Sequence, residues 1–282
     1  LSKRLLGQVN LWLNRRHRFR PEGLSALIEQ IDRLKPDRLI GTGDLTTTAL
    51  PKEFEQVRSK LGPLLDRYEG FVIPGNHDRY TLTAAWSDRF GRCLGNHTSR
   101  SWPCCLDLGD GLGLIGLDPT RPTLWTASGR LGNNQLRALK GMLDDKGFRR
   151  WVVCGHYPIG TPAGHRPETW QHRLRDADRL IEVLGGAGRP VLYCHGHEHA
   201  PWCYRHPIAC NVTVVNAGAP LMIEPPTWPR GQGFWMIDTD AAGVDNETVP
   251  WRLRHHAEDE QGTWRQREIR IPSEAGFEAP LQ

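Results

Sequence analysis

Residues 191–199 read Val191-Leu192-Tyr193-Cys194-His195-Gly196-His197-Glu198-His199. A short apolar run ends at a glycine, and imidazoles with a carboxylate follow at once. Four consecutive apolar positions read as a strand buried on both faces. The glycine permits the sharp turn that brings the next side chains over the strand end. The same grammar recurs upstream. Trp151–Cys154 runs into Gly155-His156-Tyr157-Pro158, and Phe71–Ile73 runs into Pro74-Gly75-Asn76-His77-Asp78. Asp37–Ile40 runs into Gly41-Thr42-Gly43-Asp44. Leu112–Leu117, ending at Asp118, Val212–Val215 and Phe234–Ile237 read as further strands.

Helical periodicity fills the gaps between these strands. Leu24, Leu27, Ile28, Ile31 and Leu34 keep the 3.6-residue spacing between Pro21 and Pro36. Phe54, Val57 and Leu61 mark a second helix. Leu136, Leu139, Met142 and Leu143 mark a third, with Asn133 as its cap and a stop near Gly147. Leu174, Ala177, Leu180, Ile181 and Leu184 mark a fourth, ending at Gly185-Gly186. Alternating strands and helices predict an α/β layer fold whose ligands bind at the carboxyl ends of the strands.

Composition narrows the function classes. The 282 residues carry a formal charge of +4, and residues 1–20 hold six Lys or Arg with no acid. The basic excess therefore belongs to one terminal segment, and no basic groove for nucleic acid is expected. No apolar run approaches the ~20 residues of a membrane helix. Residues 1–20 read as a basic helix, with weak peripheral membrane contact through residues 2–20 as a further option. Seven cysteines, an odd number without a C-x-x-C pair, predict reduced thiols and a cytoplasmic protein. Cys154 and Cys194 read as buried small hydrophobes.

The strand ends carry one kind of chemistry. Asp44, Asn76 with His77, His156, and His197 with His199 offer oxygen and imidazole donors and no thiolate. That set suits Mn, Fe, Zn, Co or Ni. His197 and His199 sit two apart, so an extended backbone would put both on one side.

The series Gly43-Asp44, Gly75-Asn76-His77-Asp78, Gly155-His156-Tyr157-Pro158 and Gly196-His197-Glu198-His199 resembles the calcineurin-like metallophosphoesterases. The resemblance covers residues 21–240 and implies a two-sheet sandwich flanked by helices, a four-layer αββα arrangement with a two-metal centre at one sheet edge. Residues 241–282 are expected as edge strands and tail of the same domain. The resemblance makes Asp44 the carboxylate bridging two divalent ions. Asn76, His156 and His197 would complete the second ion, and His199 would ligate the first. His77 would protonate the leaving oxygen or stabilise charge there, with Asp78 orienting its ring. The implied activity is hydrolysis of a small phosphorylated substrate, with diesters preferred over monoesters.

The pattern departs from the family at its start. No Asp-x-His occurs in the chain, so one metal site is expected to be incomplete, and a chain that begins downstream of that motif is the simplest account. Thr47 stands where purple acid phosphatases place a tyrosine, and Asp78 where protein phosphatases place a glutamate. A non-catalytic scaffold of the same fold is the alternative, and His77 backed by Asp78 argues for the enzyme. His165 and Arg166 are expected to bind substrate phosphate, with Arg79 and Tyr80 as weaker candidates. Trp125, Trp170 and Trp202 are placed in loops where they would stack a nucleobase. His195 reads as either a support behind the metal ligands or a histidine bonded to backbone, and His255-His256 as a solvated pair.

Overall fold

Strands that are apolar at every position need cover on both faces, and the chain supplies it with two layers on each side of a central seam. The computed structural model describes residues 21–122, 126–162, 165, 169–222, 233–239, 251–259, 261–271 and 277–278. The helices are α1 (Leu24–Leu34), α2 (Pro51–Arg67), α3 (Leu82–Trp86), α4 (Arg89–Leu94), α5 (Gly132–Leu143) and α6 (Ala177–Gly185). The strands are β1 (Ile40–Gly41), β2 (Phe71–Val72), β3 (Cys104–Asp107), β4 (Leu112–Gly116), β5 (Arg150–Cys154) and β6 (Val191–His195). They continue with β7 (Trp202–Arg205), β8 (Val212–Asn216), β9 (Phe234–Asp238), β10 (Arg252–Glu258), β11 (Trp264–Ile269) and β12 (Phe277–Glu278).

The large sheet runs β12-β7-β8-β6-β5-β4-β3. Its centre is parallel, with Gly116 opposite Cys154, Cys154 opposite Cys194 and Cys194 opposite Val215. Alternate residues of each strand face opposite layers. Trp151, Val153, Val191, Tyr193, Val212 and Val214 pack on α5 and α6. Val152, Cys154, Leu192, Cys194, Cys203 and Val215 face Phe71, Ile73, Leu253 and Ile269 of the second sheet layer. Cys154 and Cys194 are thus the buried small hydrophobes expected. That second layer has two separate ladders, a parallel β1–β2 pair and an antiparallel β11-β10-β9 sheet. Leu27 and Ile31 of α1 join Leu64, Tyr68, Phe234 and Trp264 to cover its outer side. Helix, sheet, sheet and helix succeed one another, as the four-layer expectation requires.

Two local expectations change. Helix α5 begins at Gly132, and the carboxylate of Asp176 accepts from Leu131 N–H at 3.0 Å and Gly132 N–H at 2.8 Å. Asn133 is therefore inside the helix and not its cap. Burial of Leu136, Leu139 and Leu143, at about 2 kcal/mol each, outweighs the ~1 kcal/mol of any cap. Among the described residues no helix is long and apolar enough to cross a membrane. The basic segment 1–20 lies outside the described residues.

His255 and His256 are not a solvated pair. They sit on β10, the middle strand of its sheet, with 1% and 2% exposure. His255 faces the seam beside Trp235, with ring centroids 4.9 Å apart, and His256 stacks on Phe234 at 5.3 Å. Neither ring nitrogen of His255 has a hydrogen-bond partner among the described residues. Burial, and then the neighbouring His256, push its pKa down to about 4 from 6.5. The unfolded chain therefore takes up this proton first, and stability drains away as pH falls from the unfolded value towards the folded one. Lowering the pH from 7.5 to 5 is expected to cost about 2 kcal/mol at this residue. Denaturant melts of the wild type and His255→Phe at both pH values check this: the acid loss should shrink by that amount, and an equal loss in both proteins refutes it.

Candidate metal centre

Four loops converge where the two sheet layers meet. β1 and β2 pair in parallel, and Ile73 N–H bonds the Gly41 carbonyl at 3.0 Å, so the loops 42–46 and 74–78 leave side by side. They touch so closely that only glycine fits. A Cβ on Gly43, whose φ is +94°, would lie 2.4 Å from Gly75 N, and one on Gly75 would lie 2.1 Å from Asp44 Oδ1. In the large sheet, Gly155 N–H bonds the Cys194 carbonyl and Gly196 N–H bonds the His156 carbonyl, both at 3.1 Å. This interlock sets the His156 and His197 turns side by side.

The crossing loops are held by one carboxylate. Asp78 is fully buried. Its Oδ2 accepts from Asp44 N–H at 2.8 Å and Gly75 N–H at 2.9 Å. Its Oδ1 accepts from Thr46 N–H at 2.9 Å and the Thr46 hydroxyl at 3.1 Å. Burial and the nearby Asp44 carboxylate push Asp78 up to about 7, against the pull of the Gly75 and Thr46 amides. Asp78 therefore braces the loops, and its oxygens are engaged there and not on His77. The His77 ring is oriented by the Thr47 carbonyl, 2.7 Å from Nδ1, and stacks on Tyr80 at 5.5 Å. Glu53 of α2 in turn accepts from Leu50 N–H at 2.7 Å and from Thr48 N–H at 3.1 Å, fixing the loop that carries Thr47.

Within this frame four donor atoms face one another. His156 Nε2 lies 2.9 Å from Asn76 Oδ1 and 3.3 Å from Asp44 Oδ2. His197 Nδ1 lies 3.0 Å from Asn76 Oδ1 and 3.2 Å from His156 Nε2. His156 Nδ1 donates to the Thr42 carbonyl at 2.7 Å, which leaves the lone pair of the neutral ring on Nε2, facing the cluster. Asp44 Oδ1 accepts from His77 N–H at 2.8 Å, so Oδ2 is the oxygen turned inward.

The electrostatics suit a cation. Burial alone would raise Asp44, but the imidazoles of His156, His77 and His197 hold it well below the carboxylate range. Burial, together with His156, drives His197 well below its usual value, keeping that ring neutral. In His156 burial pulls the pKa down, yet the Asp44 carboxylate outweighs it and the net shift is upward. Two neutral-capable imidazoles, a carboxylate and an amide oxygen within touching distance fit a divalent ion. The ligand atoms of Asp44, His156 and His197 all lie within 4.8 Å of one another.

His199 lies outside that cluster. Both His197 and His199 have positive φ, +72° and +57°, so this stretch is a turn and the extended two-residue repeat expected from the sequence does not form. His195 is wholly buried and its Nδ1 donates to the Gly196 carbonyl at 2.9 Å, the backbone-bonded alternative. Burial lowers its pKa to about 3. His165 packs against Trp202 with ring centroids 5.1 Å apart. Arg166 and Trp125 lie outside the described residues. Trp202 opens β7 and is buried among core residues, so it offers no stacking face. Trp170 is exposed. Arg79 pairs with the buried Asp118 at 3.0 Å, beside the end of β4.

Three neighbours of the centre escaped the sequence reading. The Thr42 and Thr47 carbonyls act through backbone, which no residue letter reveals. His172 belongs to no motif, yet its ring lies 6.2 Å from that of His197.

A family model of calcineurin-like phosphoesterases matches residues 17–201. The chain belongs to the calcineurin-like phosphoesterase family. All four glycine-terminated motifs fall inside the matched span. Among solved structures, this family member is similar in fold to one described as the structure of PhoD, at 10% identity and TM-score 0.59 over 87% of this chain and 68% of that one. It is also similar to a dimetal phosphatase from Danio rerio, at 14% identity and TM-score 0.55 over 77% of this chain and 84% of that one. No curated protein sequence matches the chain.

Proposed function

We propose that this protein is a metal-dependent phosphoester hydrolase acting on small phosphorylated substrates, with diesters preferred over monoesters. The observation that carries the reading is the convergence of Asp44, Asn76, His156 and His197 donors beside His77. Divalent ions of the Mn, Fe, Zn, Co or Ni kind lower the pKa of water and neutralise phosphoryl oxygens. Asp44, Asn76, His156 and His197 would hold one such ion. Asp44 and His199 would contribute to a second, which the dimetal phosphatase of similar fold supports. The four converging donors predict at least one tightly bound ion.

His77 would act on the leaving group, protonating its oxygen or stabilising charge there. With its Nδ1–H donating a hydrogen bond to the Thr47 carbonyl, protonation of the ring puts the transferable proton on Nε2. Its backbone N–H meanwhile steadies Asp44. Exposed Trp170 would offer a nucleobase of the substrate a surface to stack on. The free cysteines support a reducing, cytoplasmic setting.

The test is hydrolysis of bis-p-nitrophenyl phosphate and p-nitrophenyl phosphate with added Mn²⁺, together with metal analysis. Expected are Mn²⁺-dependent turnover favouring the diester, at least one tightly held ion, and a fall of about 10²–10³ in kcat for His77→Ala. Phosphodiester binding without turnover, unchanged by His77→Ala, would establish the scaffold alternative instead.

A further inference from the structure

Resting on that reading of the metal centre, we propose that His172 is a substrate-binding residue, donating a hydrogen bond from its imidazole to an oxygen of the phosphoryl group held there.

His172 is exposed, and its ring stands 6.2 Å from the His197 ring, tilted by 44°. It is not part of the cluster whose ligand atoms lie within 4.8 Å of one another. The ring thus stands outside the ligand cluster and beside one of its members, His197. An imidazole N–H reaches an oxygen at about 2.8–3.0 Å, which is the gap such a group would bridge. Among the described residues the ring makes no hydrogen bond that would have to be broken first.

The position is built and does not depend on a loose loop. His172 N–H and Arg173 N–H both bond the Thr169 carbonyl, at 2.9 and 3.2 Å, closing a turn. On either side, Ala127 N–H bonds the Gln171 carbonyl at 2.8 Å and Gly129 N–H bonds the Arg173 carbonyl at 3.2 Å. Arg175 N–H returns to the Gly129 carbonyl at 2.9 Å. The segment 127–130 is itself seated on Tyr157. The Tyr157 hydroxyl donates to the Ala127 carbonyl at 2.6 Å, and a Cβ on Gly129 would lie 2.4 Å from the Tyr157 ring. That ring packs on His197 at 4.6 Å and on His156 at 5.2 Å. A continuous path therefore runs from the metal-facing imidazoles through Tyr157 and segment 127–130 to His172. The path closes on His197 again through the His172 ring, 6.2 Å away. Such a brace holds a hydrogen-bond donor at a fixed point beside His197, which is what orienting a tetrahedral anion requires.

The experiment measures binding of inorganic phosphate to the full Mn²⁺-loaded chain by calorimetry, and Mn²⁺ affinity separately. His172→Ala should weaken phosphate binding about tenfold while leaving Mn²⁺ affinity unchanged. His172→Gln, which keeps a side-chain N–H, should recover part of the loss. In turnover assays the same substitution should raise KM for the diester far more than it lowers kcat. Phosphate binding equal to that of the wild type overturns the proposal, as does loss of Mn²⁺ with His172→Ala, which would make the residue a ligand. Failure of the wild type to hydrolyse any ester would count against the hydrolase reading alone, because the phosphate comparison still decides His172.

Discussion

Asp44→Asn is expected to reduce Mn²⁺ affinity by at least two orders of magnitude and kcat by about a thousandfold, equivalent to ~4 kcal/mol. The substitution keeps volume, so the fold survives, and the effect comes from hydrogens in the wrong places. Asp44 Oδ1 accepts from His77 N–H, and Oδ2 faces His156 Nε2. An asparagine amide must present its NH₂ to one of the two. In one orientation a donor meets a donor and the His77 loop is pushed away. In the other, the NH₂ occupies the point where the ion's anionic donor belongs. Either way the cluster loses the carboxylate that outweighs burial at His156. Metal titration and steady-state kinetics check both arms, and wild-type Mn²⁺ affinity in Asp44→Asn would refute the assignment.

Asp78→Ala is expected to damage stability as well as activity. Its removal orphans the N–H groups of Asp44, Gly75 and Thr46, while the Thr46 hydroxyl keeps the His77 carbonyl as an acceptor at 3.2 Å. At ~1–3 kcal/mol for each unsatisfied donor, the loss is at least about 3 kcal/mol. For a chain of this size that lowers Tm by roughly 5 °C or more. Asp78→Asn should fare little better, since its NH₂ would face N–H groups. The alternative role, orienting the His77 ring, predicts a lower kcat with no change in melting. Thermal melts beside kinetics therefore separate the two, and an unchanged Tm refutes the brace.

The sequence was most readable where the signal is local. An apolar run, a glycine and a metal-competent side chain are adjacent letters, so β1, β2, β5 and β6 and the residues that follow them could be placed from the chain alone. The same holds for α1, α2 and α6, whose apolar spacing follows the helical period. What failed to show in sequence is set by contacts across long separations. Asp78 after His77 reads identically whether it serves the ring or the backbone of two loops, and only the fold decides. The partners of His77 and His156 are the carbonyls of Thr47 and Thr42, and a carbonyl has no letter of its own. His255 and His256 are polar letters, and their burial follows from β10 being covered on both faces. Trp202 looked like loop because β7 is four residues long and mixed in character.

The donor set also bears on how the chain holds its shape. Asn76 meets His156 across 80 residues of sequence and His197 across 121. Asp44 and Asn76 come from the small β1–β2 ladder, whereas His156 and His197 come from the large sheet. An ion seated among them acts as a cross-link closing loops of that length. In chain-entropy terms a tie across about 100 residues removes some 4–5 kcal/mol of freedom from the unfolded ensemble. The cysteines of this protein are unbridged, so the staple joining its two sheet layers would be one that can be put in or withdrawn by changing the free metal concentration.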